Sequence, residues 1–278
     1  MTAARPLPAT APRDERSRVL AQAAIAPGHF RLRLQAPYIA RSAAPGQFVQ
    51  VRASDGLDPF LRRPLSVALA APDEGWIELV YKVVGFGTEA LSRRAPGEEI
   101  STLGPLGHPF RLGERGTVVL VGGGVGMPPL RFAAHRLPAD RVRVVQGAQT
   151  KSLLLFDDEF ERLGVGRHSA TEDGSAGVRG LVTDALAPAL DSARGEAEIL
   201  TCGPLPMMAA VAQAARARGL PCQVSLEERM ACGFGVCMGC AVRRAGRPED
   251  SPRYALVCTE GPVFEAEEVF SPVGAAYR

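Results

Sequence analysis

Thr117–Leu130 reads TVVLVGGGVGMPPL. Five apolar or β-branched residues, then a run of glycines, then two prolines ahead of LRFAAHRL, describe a buried strand, a tight turn and a helix with Pro in its first turn. The same alternation continues downstream. Strand VRVVQGA, helix LLLFDDEFERLG, a short strand near RHSAT, helix LVTDALAPAL, strand EAEILTCG and helix PMMAAVAQAARARG follow in order. Strands separated by helices predict a parallel α/β sheet. RARGLPC ends the last helix with a basic turn, Gly219 and Pro221.

Upstream the pattern is different. RVLAQAAIA, FRLRLQA, QFVQVRA, LSVALAA and WIELVYKVV are short alternating or apolar runs, punctuated by APG, SDG and PDEG. They predict a small antiparallel β-barrel, with TEALSRR as a short helix after the fifth strand. The fold class expected is therefore multidomain, β and α/β. Residues 1–17 are Pro-rich and lack an apolar h-region, which reads as a disordered tail rather than a secretory signal. The expected boundaries are 18–112 for the barrel, 113–222 for the α/β unit and 223–278 for a small cysteine-rich domain. That last segment has too little apolar periodicity for a core of its own, so a metal is expected to help it fold.

The 278 residues carry a net charge of +2 with signs interspersed, which gives no argument for a nucleic-acid or membrane-surface partner. No apolar run is long enough to span a bilayer. The lack of a leader points to the reducing cytosol, where six cysteines suggest metal or redox chemistry over disulfides.

Within ERMACGFGVCMGCAV, Cys232, Cys237 and Cys240 are spaced C-x4-C-x2-C, and Cys258 lies further on. This is the plant-type pattern for a 2Fe–2S cluster. A tight loop brings three thiolates to one side, and a distant fourth closes the cage. Zinc sites favour paired C-x2-C motifs, and there is one such pair here. A redox CxxC would leave Cys232 and Cys258 unexplained. Cys222 competes with Cys258 for the fourth position, but the pattern puts that ligand downstream, and Cys222 reads as a buried hydrophobe.

Three further stretches suggest phosphate-bearing ligands. In LRRPLSVA, Arg63 and Ser66 can clamp a phosphate through a guanidinium fork and a hydroxyl. In VYKVVGFGTEALS, Gly85, Gly87 and Thr88 precede a helix start, where N–H groups favour an anion or Thr88 simply caps the helix. Gly122, Gly123, Gly124 and Gly126 would let a phosphate or nicotinamide approach the backbone, and TCGPLPMM repeats this logic at a later strand end. Met127 and Pro129 depart from the usual G-x-G-x-x-G fingerprint. Strand-end loops of an open α/β sheet face a common crevice. In ATEDGS, Glu172 and Asp173 either repel a ribose 2′-phosphate, favouring NAD over NADP, or form a solvated turn.

The order of these motifs resembles the ferredoxin–NADP⁺ reductase superfamily over about residues 18–270. The terminal cluster makes the chain similar to one subgroup, the electron-transfer subunits of type B, two-component dihydroorotate dehydrogenases. The RPxS, GxGT, GPLG, GGGxGxPPL and CGPxPM motifs of that family have counterparts here. The resemblance implies FAD contacts at Arg63, Pro64, Leu65, Ser66, Val80, Tyr81, Lys82, Gly87 and Thr88. It implies a nicotinamide site at the Gly122–Gly126 turn and at Cys202, Gly203 and Pro204. It assigns the cluster to Cys232, Cys237, Cys240 and Cys258. Many superfamily members have Tyr where Leu65 stands, so the group covering the flavin ring is open.

The implied function is electron transfer between NAD(H) and an FMN-containing, dihydroorotate-oxidising partner, in a heterotetramer of two of each subunit, for pyrimidine (UMP) biosynthesis. The chain would be a diaphorase-like subunit, not a complete dehydrogenase, with no catalytic side chain of its own. The rival is the small subunit of a bifurcating NADH-dependent ferredoxin:NADP⁺ oxidoreductase, where an Asp commonly stands at the position of Cys232. Subunits of sulfide dehydrogenases and hydrogenases are further relatives, and a non-enzymatic iron–sulfur sensing module is the alternative from another class.

Overall fold

A computed structural model describes residues 11–193, 195–245 and 253–270. Strand β1 (Arg13–Ala26) and β2 (His29–Gln35) form a hairpin, followed by helix α1 (Pro37–Ser42) and strand β3 (Phe48–Val51). Strands β4 (Arg63–Ala71) and β5 (Trp76–Lys82), helix α2 (Phe86–Ser92) and strand β6 (Glu99–Leu106) complete the unit. The six strands close into a barrel in the order β1-β2-β5-β4-β3-β6. Alternation explains the closure. Leu32 and Leu34 of β2 and Ile77 and Leu79 of β5 are fully buried in the barrel core, and each such side chain stabilises the fold by roughly 1.5–3 kcal/mol.

Two expectations change. The sixth strand, EISTLGPL, escaped the sequence reading because its Gly, Ser and Thr dilute the alternation. The tail expected to reach Ser17 is shorter. Residues Arg13 to Arg18 pair with Gly104 to Glu99 of β6, so charged residues serve as strand on the barrel wall. Residues 1–10 of that tail lie outside the described residues.

The second unit starts with β7 (Thr117–Gly123), α3 (Met127–Ala134) and β8 (Val142–Ala148). It continues with α4 (Asp157–Leu163), β9 (Gly166–Thr171), β10 (Val178–Arg179) and α5 (Val182–Asp191). Strand β11 (Ala197–Cys202), α6 (Leu205–Ala217) and β12 (Cys222–Ser225) follow. Strands β13 (Ala241–Arg243), β14 (Tyr254–Leu256) and β15 (Val263–Glu265) and helix α7 (Ala266–Val269) end the described chain. The sheet order is β10-β9-β8-β7-β11-β12-β15, parallel except for β15. No helix among the described residues is long and apolar enough to cross a membrane.

The cysteine-rich segment is not folded apart. The expected boundary at 222/223 falls inside β12, and β15 pairs with β12 as the sheet's antiparallel edge. Val242, Ala255, Val257 and Phe264 join the same core as Val211 and Ala215 of α6. The segment thus takes its apolar support from the α/β unit. The missing periodicity was real, and its consequence is a shared core.

The barrel and the sheet are joined by charge as well as packing. Glu78 points out from the barrel wall beside its cross-strand partner Arg33. There it is covered by Arg131 of α3, which also reaches Glu159 of α4 at 2.6 Å. Next to it, Phe132 of α3 is buried in the barrel's core cluster. The linker is pinned too. The Arg111 N–H donates to Gln223 Oε1 at 2.9 Å, and Gln223 Nε2 donates back to the Arg111 carbonyl at 2.7 Å.

Candidate functional site

A cleft of about 1380 Å³ lies between the barrel and the carboxyl ends of the parallel strands. Arg63, Pro64, Leu65 and Ser66 enter it at the start of β4, and Val80, Tyr81 and Lys82 at the end of β5. These strands are hydrogen-bonded neighbours in the barrel, which is why two motifs far apart in sequence face one space. Arg62, Arg63, Lys82, Arg229, Arg243 and Arg253 all line the cleft, against the carboxylates of Glu227 and Glu228. That excess of cations suits a pyrophosphate-bearing ligand. Burial pushes the Tyr81 phenol well above its ordinary range, and the hydrogen bond between its hydroxyl, as donor, and Gln22 Oε1 only partly opposes this.

Gly87 and Arg63 explain each other. A Cβ at Gly87 would run into the Arg63 guanidinium, so only glycine lets that side chain lie across the start of α2. Thr88 also lines the cleft, but its hydroxyl is engaged locally. It accepts the Val84 N–H at 3.0 Å and donates to the Gly85 carbonyl at 2.9 Å, which shapes the turn. The local cap, not a free anion donor, describes this hydroxyl.

The glycine turn after β7 divides. A Cβ at Gly122 would meet Met127 and Leu130, and one at Gly126 would meet the Cys202 carbonyl. A Cβ at Gly123 would stand 3.1 Å from Met207 Sδ. These three make room for protein rather than ligand, pressing the β7 and β11 loops together. Gly124, with φ +54°, faces open space, and the neighbouring Val125 lines the cleft. Gly203 and Pro204 line it from the other loop, while Cys202 is buried behind them. Glu172 and Asp173 do not line it. Asp173 accepts hydrogen bonds from the Ser175 hydroxyl and backbone N–H, which lower its carboxyl.

Sequence reasoning missed Glu227, which opens onto the cleft with Oε1 4.0 Å from Cys202 Sγ. Glu227 is exposed to the cleft, and partial desolvation by the surrounding cleft walls raises its carboxyl. Burial first, and this carboxylate second, push the Cys202 thiol well above its ordinary value. No spacing rule marks such a pair; it arises where β11 and the chain leaving β12 run side by side.

The chain leaves β12 through Glu227–Met230 and enters the cysteine loop. Cys232 is half-buried, Cys237 exposed, and Cys240 and Cys258 buried. The thiols stand in two pairs. The Cys237 N–H points to Cys232 Sγ at 3.5 Å, and the Cys258 N–H to Cys240 Sγ at 3.4 Å. Among the described residues, no three His, Cys, Asp or Glu side chains are drawn into one closed metal-binding group. The donor set nevertheless fits a cluster. Burial raises the Cys232 thiol, but N–H groups of Cys237, Phe234 and Val236 outweigh it and bring it down to about 7. The Cys258 thiol and nearby N–H groups bring Cys240 down to about 6, while its partner Cys258 is held up. Thiolate sulfurs ringed by backbone donors are what iron–sulfur ligation requires. Gly233, at φ +82°, supplies the left-handed turn that aims these donors inward. Cys222 is different. It lies in the apolar core, and burial pushes its thiol up to about 12.

Two regions of the chain match known domain families. Residues 227–270 match the iron–sulfur cluster binding domain of dihydroorotate dehydrogenase B, and residues 120–213 match the oxidoreductase NAD-binding domain. The NAD(+)-dependent dihydroorotate dehydrogenase B electron transfer subunit of Geobacillus thermodenitrificans is 39% identical over 260 residues, covering 92% of this chain and 98% of the relative. That of Desulforamulus reducens is 40% identical over 256 residues, covering 91% and 97%. Among solved structures, a chain of an NADH-dependent reduced ferredoxin–NADP oxidoreductase superposes with TM-score 0.81 at 34% identity, covering 91% of this chain and 89% of its own. A ferredoxin NADP⁺ reductase from Neisseria gonorrhoeae shares the fold at TM-score 0.62 and 17% identity, over 74% and 92% of the two chains. On the identity and reach of its relatives, the chain belongs to the family of dihydroorotate dehydrogenase B electron-transfer subunits.

Proposed function

We propose that this chain is the NAD-facing subunit of a two-component dihydroorotate dehydrogenase of pyrimidine biosynthesis, carrying electrons between NAD and a partner that oxidises dihydroorotate. One observation carries the reading. Arg63–Ser66, Gly203–Leu205 and Glu227–Met230 line a single cleft, and the last of these runs directly to Cys232. Flavin, nicotinamide and cluster candidates are thereby neighbours in space.

The chain's residues bind and orient. Arg63, Pro64, Leu65 and Ser66, with Val80, Tyr81, Lys82, Gly87 and Thr88, would hold FAD. Gly124, Gly203 and Pro204 would border the nicotinamide, with Cys202 packed behind them and the raised Glu227 carboxyl as a nearby hydrogen-bonding group. Cys232, Cys237, Cys240 and Cys258 would hold the 2Fe–2S cluster. When bound, the flavin would supply two-electron hydride chemistry toward the nicotinamide and one-electron chemistry toward the cluster. No side chain is required to move a proton in that exchange, and the dihydroorotate site belongs to the partner.

The partner in this reading carries FMN, and the complex holds two of each subunit. The surface around the cysteine loop supports docking there. Phe234, Val236 and Met238 are 50%, 75% and 60% exposed beside the exposed Cys237. Apolar side chains so presented mark an interaction face. A second reading is favoured by the 0.81 superposition on the NADH-dependent ferredoxin–NADP oxidoreductase chain; Cys232 argues against it, because that family commonly has Asp there.

Two measurements test the proposal. The purified chain should show flavin and cluster absorbance that NADH bleaches; absence of flavin, or no bleaching by NADH or NADPH, overturns it. The protein that co-purifies should be a dihydroorotate-oxidising flavoprotein; any other flavoenzyme overturns the subfamily assignment.

A further inference from the structure

Gln50 sits in β3 between Val49 and Val51, is fully buried, and has neither its Nε2 nor its Oε1 hydrogen-bonded among the described residues. A buried carboxamide with both ends unpaired is costly, and in native proteins such groups have a partner. Its neighbours β4 and β6 satisfy the backbone on either side but offer the side chain nothing: opposite stand Pro64 and Leu103. The rest of β3 is apolar, so packing alone does not call for a glutamine.

Its position is specific. On one side, Pro64 belongs to the Arg63–Ser66 stretch that lines the flavin cleft. On the other, the cysteine loop presses onto the side chain itself. A Cβ at Gly233 would stand 2.6 Å from both Gln50 Cγ and Nε2. Gly233 directly follows Cys232. The amide therefore lies where the flavin strand and the first cluster cysteine come together.

We propose that Gln50 is a positioning residue for the iron–sulfur cluster, its carboxamide N–H donating to the sulfur shell on the Cys232 side and linking the cluster to the flavin-bearing barrel. This rests on the cluster reading above. An N–H donated to sulfur stabilises the more negatively charged, reduced cluster and so raises its potential. Because the donor stands on a barrel strand, the barrel would tune the cluster as well as hold the flavin.

The test is a redox titration of the full-length protein, with FAD and cluster loaded, followed by EPR. Q50L removes both ends of the amide and Q50E replaces the donor with an acceptor at nearly the same shape. Both should shift the cluster midpoint to more negative values, Q50E further, and alter the g-values while the flavin midpoint stays in place. A cluster midpoint and g-values unchanged in either variant overturn the proposal. So does a shift confined to the flavin. Wild-type protein labelled with ¹⁵N in its glutamine side-chain amides gives a check that needs no variant. Pulsed EPR should reveal a glutamine nitrogen coupled to the reduced cluster, and its absence overturns the proposal even if neither variant loads. Wild type without any cluster would instead overturn the cluster reading itself, which separates the two failures.

Discussion

The Arg131 guanidinium of α3 and the Glu78 carboxylate of β5 meet 2.8 Å apart across the junction of barrel and sheet, with Glu78 wholly sealed from solvent. Replacing Arg131 by Met leaves that carboxylate in a low-dielectric site. Removing one partner of a buried pair costs about 3–5 kcal/mol. Arg33, 3.0 Å from the other Glu78 oxygen, remains and holds the loss near the low end. R131M should thus lower unfolding free energy by about 3 kcal/mol in a denaturant titration, and R131M/E78L should recover part of it. A double variant as unstable as the sum of the single ones would contradict this account.

Acid should weaken the same junction. Burial raises the Glu159 carboxyl, but Arg131 and Arg31 outweigh it and hold it below its ordinary value of 4.5. A carboxylate depressed in the folded state adds stability that is present above its unfolded pKa and fades as pH falls through the folded one. Wild type should therefore lose stability below about pH 4.5 more steeply than E159Q. Parallel curves for the two would remove Glu159 from the acid response.

The ligand assignment predicts opposite outcomes for two buried cysteines. C258A should abolish the cluster's visible absorbance and iron content. C222A should keep both, because Cys222 packs in the apolar core of the sheet with its thiol held protonated. A modest stability loss is all that C222A should show.

Flavin retention should depend on the Arg63–Gly87 contact. R63A removes charge-assisted donors worth about 1.5–3 kcal/mol, or roughly 10- to 150-fold in FAD affinity. G87A puts a methyl where the guanidinium lies. The tip of Arg63 is mobile enough to move aside, so G87A should fold normally yet bind FAD more weakly. Equilibrium fluorescence of released FAD measures both, and wild-type affinity in either variant would exclude Arg63 from the site.

The sequence made the sites more legible than the packing between them. The cysteine spacing and the Arg63–Ser66 and Gly85–Thr88 stretches are local patterns, set by short-range geometry, and they face one cleft or form one loop. The glycine turn misled in part. Gly122 and Gly126 are glycines because protein, not ligand, fills the space their side chains would take. Gln50, Glu227 and the Arg131–Glu78 pair carry no local signal. Each acquires meaning only when strands distant in sequence are brought together. The same holds for β12 and β15, whose few residues show no periodicity until the sheet supplies their neighbours.

That edge pairing has a consequence for how the molecule is made. Strand β15 comes after every cysteine of the loop, yet it closes the sheet on which β12 rests. Synthesis runs from the amino end, so β12 is made before the cysteine loop and stays an open edge until β15 follows. Because β15 follows Cys258 in the chain, the free edge of β12 can be closed only after the last cysteine has been made, and β15 acts as the latch of the sheet.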